Sequence, residues 1–265
     1  MKTRRGALAA LALLLAGPAV AGHRHWYTGA VGSGATQWNP PGIQRDAGAS
    51  TFPVVTTGSG TGSSGTTFLS SAFSTSSSAG LLVVVVSMGN LDGNNQGQPV
   101  LTGAGLTWTK RVEALITSAP SAVTHLAQVW TAPYSSAISS QQLTLTMGFA
   151  SIDFARSLTI DALAGWAGTF GATATNTTSS SAETATLSGV ASGSWSYVGV
   201  FRESTDTTVT PNGSTTELSD AFLSGPSPTV GTASGISTTG TGSLTLGWTN
   251  TMDFGAVAAL EVKSN

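Results

Sequence analysis

The 265 residues carry only 8% charged side chains, a formal net charge of −2 and no cysteine. A nucleic-acid-binding face needs clustered Lys and Arg, and none occurs beyond the first few residues, so that partner class is excluded. Without cysteine there are no disulfides or thiolate metal sites; a hydrophobic content of 40%, with seven Trp, is enough to build a core held by packing and sheet hydrogen bonds.

In chain order, residues 1–22 read as a secretory leader. Lys2, Arg4 and Arg5 are followed by an uncharged run over 7–16, a Gly17-Pro18 break and the small residues Ala19, Val20, Ala21 and Gly22. A basic start, an apolar stretch too short to span a bilayer and a small-residue exit are what export requires. The expected product is exported. The next-longest aliphatic run, 81–86, is strand-sized, so no integral membrane span is expected after the leader. A cysteine-free exported chain of this size suits a bacterial or bacteriophage product.

Residues 23–50, with Pro40-Pro41, Gly-rich spacing, Trp26 and Trp38, read as an extended arm, and residues 51–265 as one β-sandwich domain. Residues 66–73 read as a strand. The run 81–86 is apolar on both parities, which predicts a central strand covered on both faces. Alternation then predicts strands over 106–115, 126–130, 143–147 and 158–162. Later strands are expected over 195–201, 216–222, 244–248 and 254–262, with Gly, Ser, Asn or Pro clusters between them. No sustained 3.6-residue period predicts helix beyond the leader. The expected fold class is all-β: a two-sheet antiparallel β-sandwich, jelly-roll-like, with an extended N-terminal arm.

The order of these runs carries a resemblance. Ala79-Gly80 with the 81–86 run, then Gly105-Leu106-Thr107-Trp108-Thr109-Lys110-Arg111-Val112, then Gln128-Val129-Trp130-Thr131-Ala132 set the pattern. It continues through Leu143-Thr144-Leu145-Thr146, Leu244-Thr245-Leu246-Gly247-Trp248-Thr249 and the closing 254–263 run. This succession resembles a family of β-sandwich (jelly-roll-like) modules of bacteriophage virion proteins, decoration or tail, and of exported bacterial surface proteins. The likeness covers about two-thirds of the chain and consists of strand-and-turn patterns. It implies a structural role on a virion or an extracellular surface.

Chemistry-bearing residues are few. The three His are His23, His25 and His125. Ser is too abundant for proximity to mean anything, no Gly-x-Ser-x-Gly elbow occurs, and His125 reads as a surface or loop-edge residue at the start of a strand. No two of the twelve acids stand out as a catalytic pair, so no catalytic residue and no cofactor are assigned. Two metal alternatives stay open beside the reading of no metal. Asn90, Asp92 and Asn94 alternate oxygen-bearing side chains as calcium loops do, without a downstream Glu. A leader cut after Gly22 would leave His23 first, and its amine and imidazole with His125 would make a copper histidine brace, which resembles polysaccharide monooxygenases.

Trp108, Trp130, Trp195 and Trp248 fall inside expected strands and read as core. Trp166 and Tyr134 read as loop residues that contact a partner, and Trp26, Tyr27 and Trp38 as anchors of the arm on a neighbouring subunit. The function expected is a non-enzymatic structural module, self-associating or joined to other subunits of a virion, fibre or surface layer. The alternatives are a carbohydrate-binding or adhesive module, with polysaccharide as partner, and the copper enzyme.

Overall fold

A computed structural model describes residues 44–45, 52–57, 67–90, 99–116, 124–146, 155–164, 166–177, 181–203, 209–223, 230–252 and 254–264. The chain divides into Met1–Trp38 and Asn39–Asn265, and all the described residues belong to the second unit. The leader and most of the arm, including Trp26, Tyr27 and Trp38, therefore lie outside the described residues.

Among the described residues there are sixteen strands and no helix. They are β1 (Gln44–Arg45), β2 (Phe52–Thr57), β3 (Thr67–Leu69), β4 (Gly80–Asn90), β5 (Val100–Gly103), β6 (Thr109–Ile116), β7 (Thr124–Tyr134) and β8 (Leu143–Thr146). The second half supplies β9 (Ala155–Ala164), β10 (Trp166–Asn176), β11 (Ser181–Val190), β12 (Trp195–Glu203), β13 (Thr216–Leu223), β14 (Val230–Ser237), β15 (Gly242–Met252) and β16 (Phe254–Ser264). Every pairing is antiparallel. The expected antiparallel β-sandwich is what the chain forms.

Two principal sheets make the sandwich. The first runs β1-β9-β4-β7-β6, with β2 also on β9; the second runs β10-β16-β12-β14-β13. Between them lies a core of Leu81, Val83 and Val85 from β4, Ala127 and Val129 from β7, Tyr197 from β12 and Ala256, Ala258 and Leu260 from β16. Two smaller sheets add outer layers. The three-stranded β3-β8-β5 sheet packs Phe68, Leu101, Leu143 and Leu145 on Leu82, Val84, Val86 and Met88, the other parity of β4. The β11-β15 ribbon packs Leu187, Leu246 and Trp248 on Val198, Val200, Val257 and Ala259.

This four-layer stack explains the sequence. A strand covered on both faces must be apolar on both parities. β4 meets that condition in the first sheet, and β12 and β16 in the second. Small residues keep the principal sheets close: a Cβ on Gly199 would collide with Val85. Each fully buried Leu or Val contributes about 1.5–3 kcal/mol relative to exposure.

Candidate functional site

The site is assembled by two edge strands that depart from regular pairing. β6 is one edge of the first principal sheet and β10 one edge of the second. On β6, Lys110 pairs with Trp130 and Val112 with Val129, so Arg111 is the extra residue of a bulge. A bulge turns its extra side chain away from the regular alternation. Val112 and Ala114 still enter the core, while Arg111 is exposed and lays its guanidinium 3.9 Å from the Phe170 ring centroid on β10. Its Nε donates to Thr131 Oγ1 at 2.8 Å, which fixes the plane of the group. Partial desolvation lowers the Arg111 pKa from its ordinary value, and an arginine so shifted remains cationic at physiological pH.

On β10 the register slips twice. Trp166 faces Ser264 and Phe170 faces Val262, so four steps on β10 span two on β16. Residues four apart on a regular strand are about 13 Å from each other. Here the two rings are 5.2 Å apart at an interplanar angle of 47°. Gly168, at φ +83°, takes the left-handed turn inside this bulge, and Trp166 Nε1 donates to Thr169 O at 3.1 Å. Both rings are half-buried, leaning on the inter-sheet core from its side.

The second slip, between Phe170 and Thr173, is held by Glu261 of β16. One carboxylate oxygen accepts the Ala172 amide at 2.8 Å. The other accepts the Ala191 amide at 2.8 Å and the Ser194 hydroxyl at 2.7 Å. Gly171 is needed here because a Cβ would run into the carboxylate. Burial pushes the Glu261 pKa up, but the two amides, the Ser194 hydroxyl and the nearby Lys263 charge outweigh it and hold the group below its ordinary value. An ionised carboxylate thus ties the bulged edge to the β11–β12 turn.

The other buried polar groups also join layers. Arg202, fully buried, lies 3.3 Å from Glu183 of the outer ribbon and 3.8 Å from Asp220 of β13. Burial raises the Asp220 pKa to about 6, with Glu217 adding to the shift and Arg202 opposing it. Tyr197 Oη donates to Asp161 at 2.8 Å across the central core. The hydroxyls of Thr159, Ser219 and Ser234 form a closed triangle in the same interface.

The sequence expectations fare unevenly. Trp166 lies in the cluster, although as the first residue of β10 rather than in a loop. Tyr134 is corrected: it ends β7 rather than lying in a loop, and its ring is buried in the core below the β3-β8-β5 sheet. His125 is corrected as well. It is fully buried between the principal sheets, with Nε2 3.3 Å from Glu203 and its ring 4.8 Å from Phe201, because β7 starts before it and turns its odd-numbered residues inward. The proposed copper partner His23 lies outside the described residues, as do Asp92 and Asn94; Asn90 is the last residue of β4. Among the described residues no group of three His, Asp or Glu side chains is placed to hold a metal. Trp130, Trp195 and Trp248 are buried as expected, and Trp108 is half-buried with Nε1 donating to Gly103 O.

Arg111, Phe170 and Glu261 were missed by the sequence reading. The only local signal was the irregularity at Lys110-Arg111 in an otherwise alternating run, together with the glycines on both sides of Trp166. No known protein family, curated protein or solved structure matches this chain.

Proposed function

We propose that the chain is a non-enzymatic structural module of an exported or virion surface, built to associate with copies of itself. The supporting observation is the outer β3-β8-β5 sheet. Its two edge strands carry Leu69 at 55% and Val100 at 51% exposure, both large aliphatics left in solvent. Registered rows Thr67-Thr146-Val100 and Leu69-Thr144-Thr102 make its outward face uncharged. A strand edge is a template for pairing, and exposed aliphatics reward its cover. The buried charges fit the same reading, since Glu261, Arg202 and Asp161 are committed to holding layers together.

Sedimentation of the full chain from micromolar to near-millimolar concentration tests it. Association is expected, with Leu69→Lys and Val100→Lys shifting the chain to monomer while preserving its melting curve. A wild-type chain that stays monomeric throughout would overturn the proposal. The adhesive alternative is favoured by one specific observation, the Arg111–Phe170–Trp166 cluster.

A further inference from the structure

We infer that the Arg111–Phe170–Trp166 cluster is a binding subsite for a carboxylate-bearing sugar, a uronic-acid residue of an acidic polysaccharide. This site is distinct from the outer sheet and does not depend on self-association.

The argument begins with Arg111. Its Nε is used by Thr131 and its Cζ lies over Phe170, while the side chain is exposed and its two terminal nitrogens have no hydrogen-bond partner among the described residues. A guanidinium held in this way is a ready fork for a carboxylate, which it binds through two parallel hydrogen bonds. The neighbouring acid does not compete for it, because Glu113 is engaged by Lys110 and by the Gln128 amide.

The aromatic pair supplies the second half. Phe170 is a spine between the guanidinium, 3.9 Å from its centroid, and the Trp166 ring, 5.2 Å away. Through Phe170 these two short steps join a half-buried indole and an exposed cation in one cluster. The apolar C–H face of the sugar would cover Trp166 while the acid group reaches Arg111. Indoles are well suited to such contacts because they combine a large apolar face with a polar N–H. The N–H is already satisfied by Thr169, so no polar atom would be stranded when the ring is covered.

Preorganisation is the third support. Two bulges on edge strands of different sheets converge on this point, and Glu261 pins one of them from within the fold. Bulges on sheet edges commonly re-aim side chains, and a site already held in its bound form avoids the ordering cost of binding. The same two strands carry the exposed hydroxyls of Thr109, Thr169 and Thr173, a side-chain chemistry that suits sugar hydroxyls.

The test is calorimetric titration of the full chain with short oligogalacturonate, its methyl ester, a neutral hexose oligomer, a sulfated oligosaccharide and polyglutamate. Expected is saturable binding of oligogalacturonate in the micromolar-to-millimolar range, at least tenfold weaker for the ester and the neutral oligomer. Arg111→Gln and Trp166→Ala are each expected to weaken it at least tenfold while the chain stays fully folded at the titration temperature, as its melting curve checks, and Arg111→Lys to restore it only in part. Leu69→Lys should bind as wild type does, so loss of assembly and loss of sugar binding are separately readable. The inference is overturned by no binding at millimolar oligogalacturonate, by equal binding of the ester, or by full binding in Arg111→Gln. Stronger binding of the sulfated oligosaccharide overturns the carboxylate assignment, and equal, Arg111-dependent binding of polyglutamate overturns the sugar in favour of an acidic peptide.

Discussion

Glu261 shows how much one side chain can organise. Its two oxygens accept three hydrogen bonds from β10, the β11–β12 turn and Ser194. Glu261→Gln keeps the shape but turns one acceptor oxygen into a donor facing amides, so a loss of about 3 kcal/mol at neutral pH is expected from thermal or denaturant melts. The sign with pH follows from the depressed pKa. The contribution is complete above the unfolded value, near 4.5, and is lost as pH falls through the lower folded value. Melts at pH 7 should therefore separate wild type from the variant more widely than melts in strong acid. Asp220 behaves in the opposite sense. Its folded pKa is raised to about 6 from 3.8, so its favourable contribution is complete below the lower value and is lost as pH rises through the higher one. Wild-type melting temperature should fall more between pH 5 and 8 than that of Asp220→Asn; parallel curves would show that the group does not titrate as described.

Individual strands were legible in proportion to their apolar contrast. β4, β7, β12, β15 and β16 are bulky and alternate or run apolar on both parities, and periodicity found all of them. β10, β11 and β14 were not found, for a common physical reason. Their residues are mostly Gly, Ala, Ser and Thr, which give little hydrophobic contrast between faces. β14 is the clearest case: Gly231 to Ser237 are all buried, yet the segment has one large aliphatic, Ile236. It is inside because β12 and β13 flank it, and its small side chains suit the tight space between layers. The candidate site suffers from the same blindness. The parity of Trp166 and Phe170 is visible in the sequence, but the slips of β10 against β16 that bring their rings together belong to pairing.

The described residues of Asn39–Asn265 form a stack in which two central sheets serve three cores. The strands shared between cores should open last, since exposing any of them empties two interfaces at once. Amide hydrogen exchange is expected to be slowest in β4, β12 and β16 and fastest in β3 and β5; uniform protection across the layers would contradict the stack as the source of stability. By itself the sequence determined the all-β class, the central position of the 81–86 run and the burial of Trp130, Trp195 and Trp248. These depend on the two-residue period and on local hydrophobicity, which are written in neighbouring residues. Only the tertiary structure decided the number of layers, the burial of His125 beside Glu203, and the meeting of Arg111 with Phe170. Each of those joins strands far apart in the chain, and a local period specifies which face of a strand is apolar without specifying which other face will cover it.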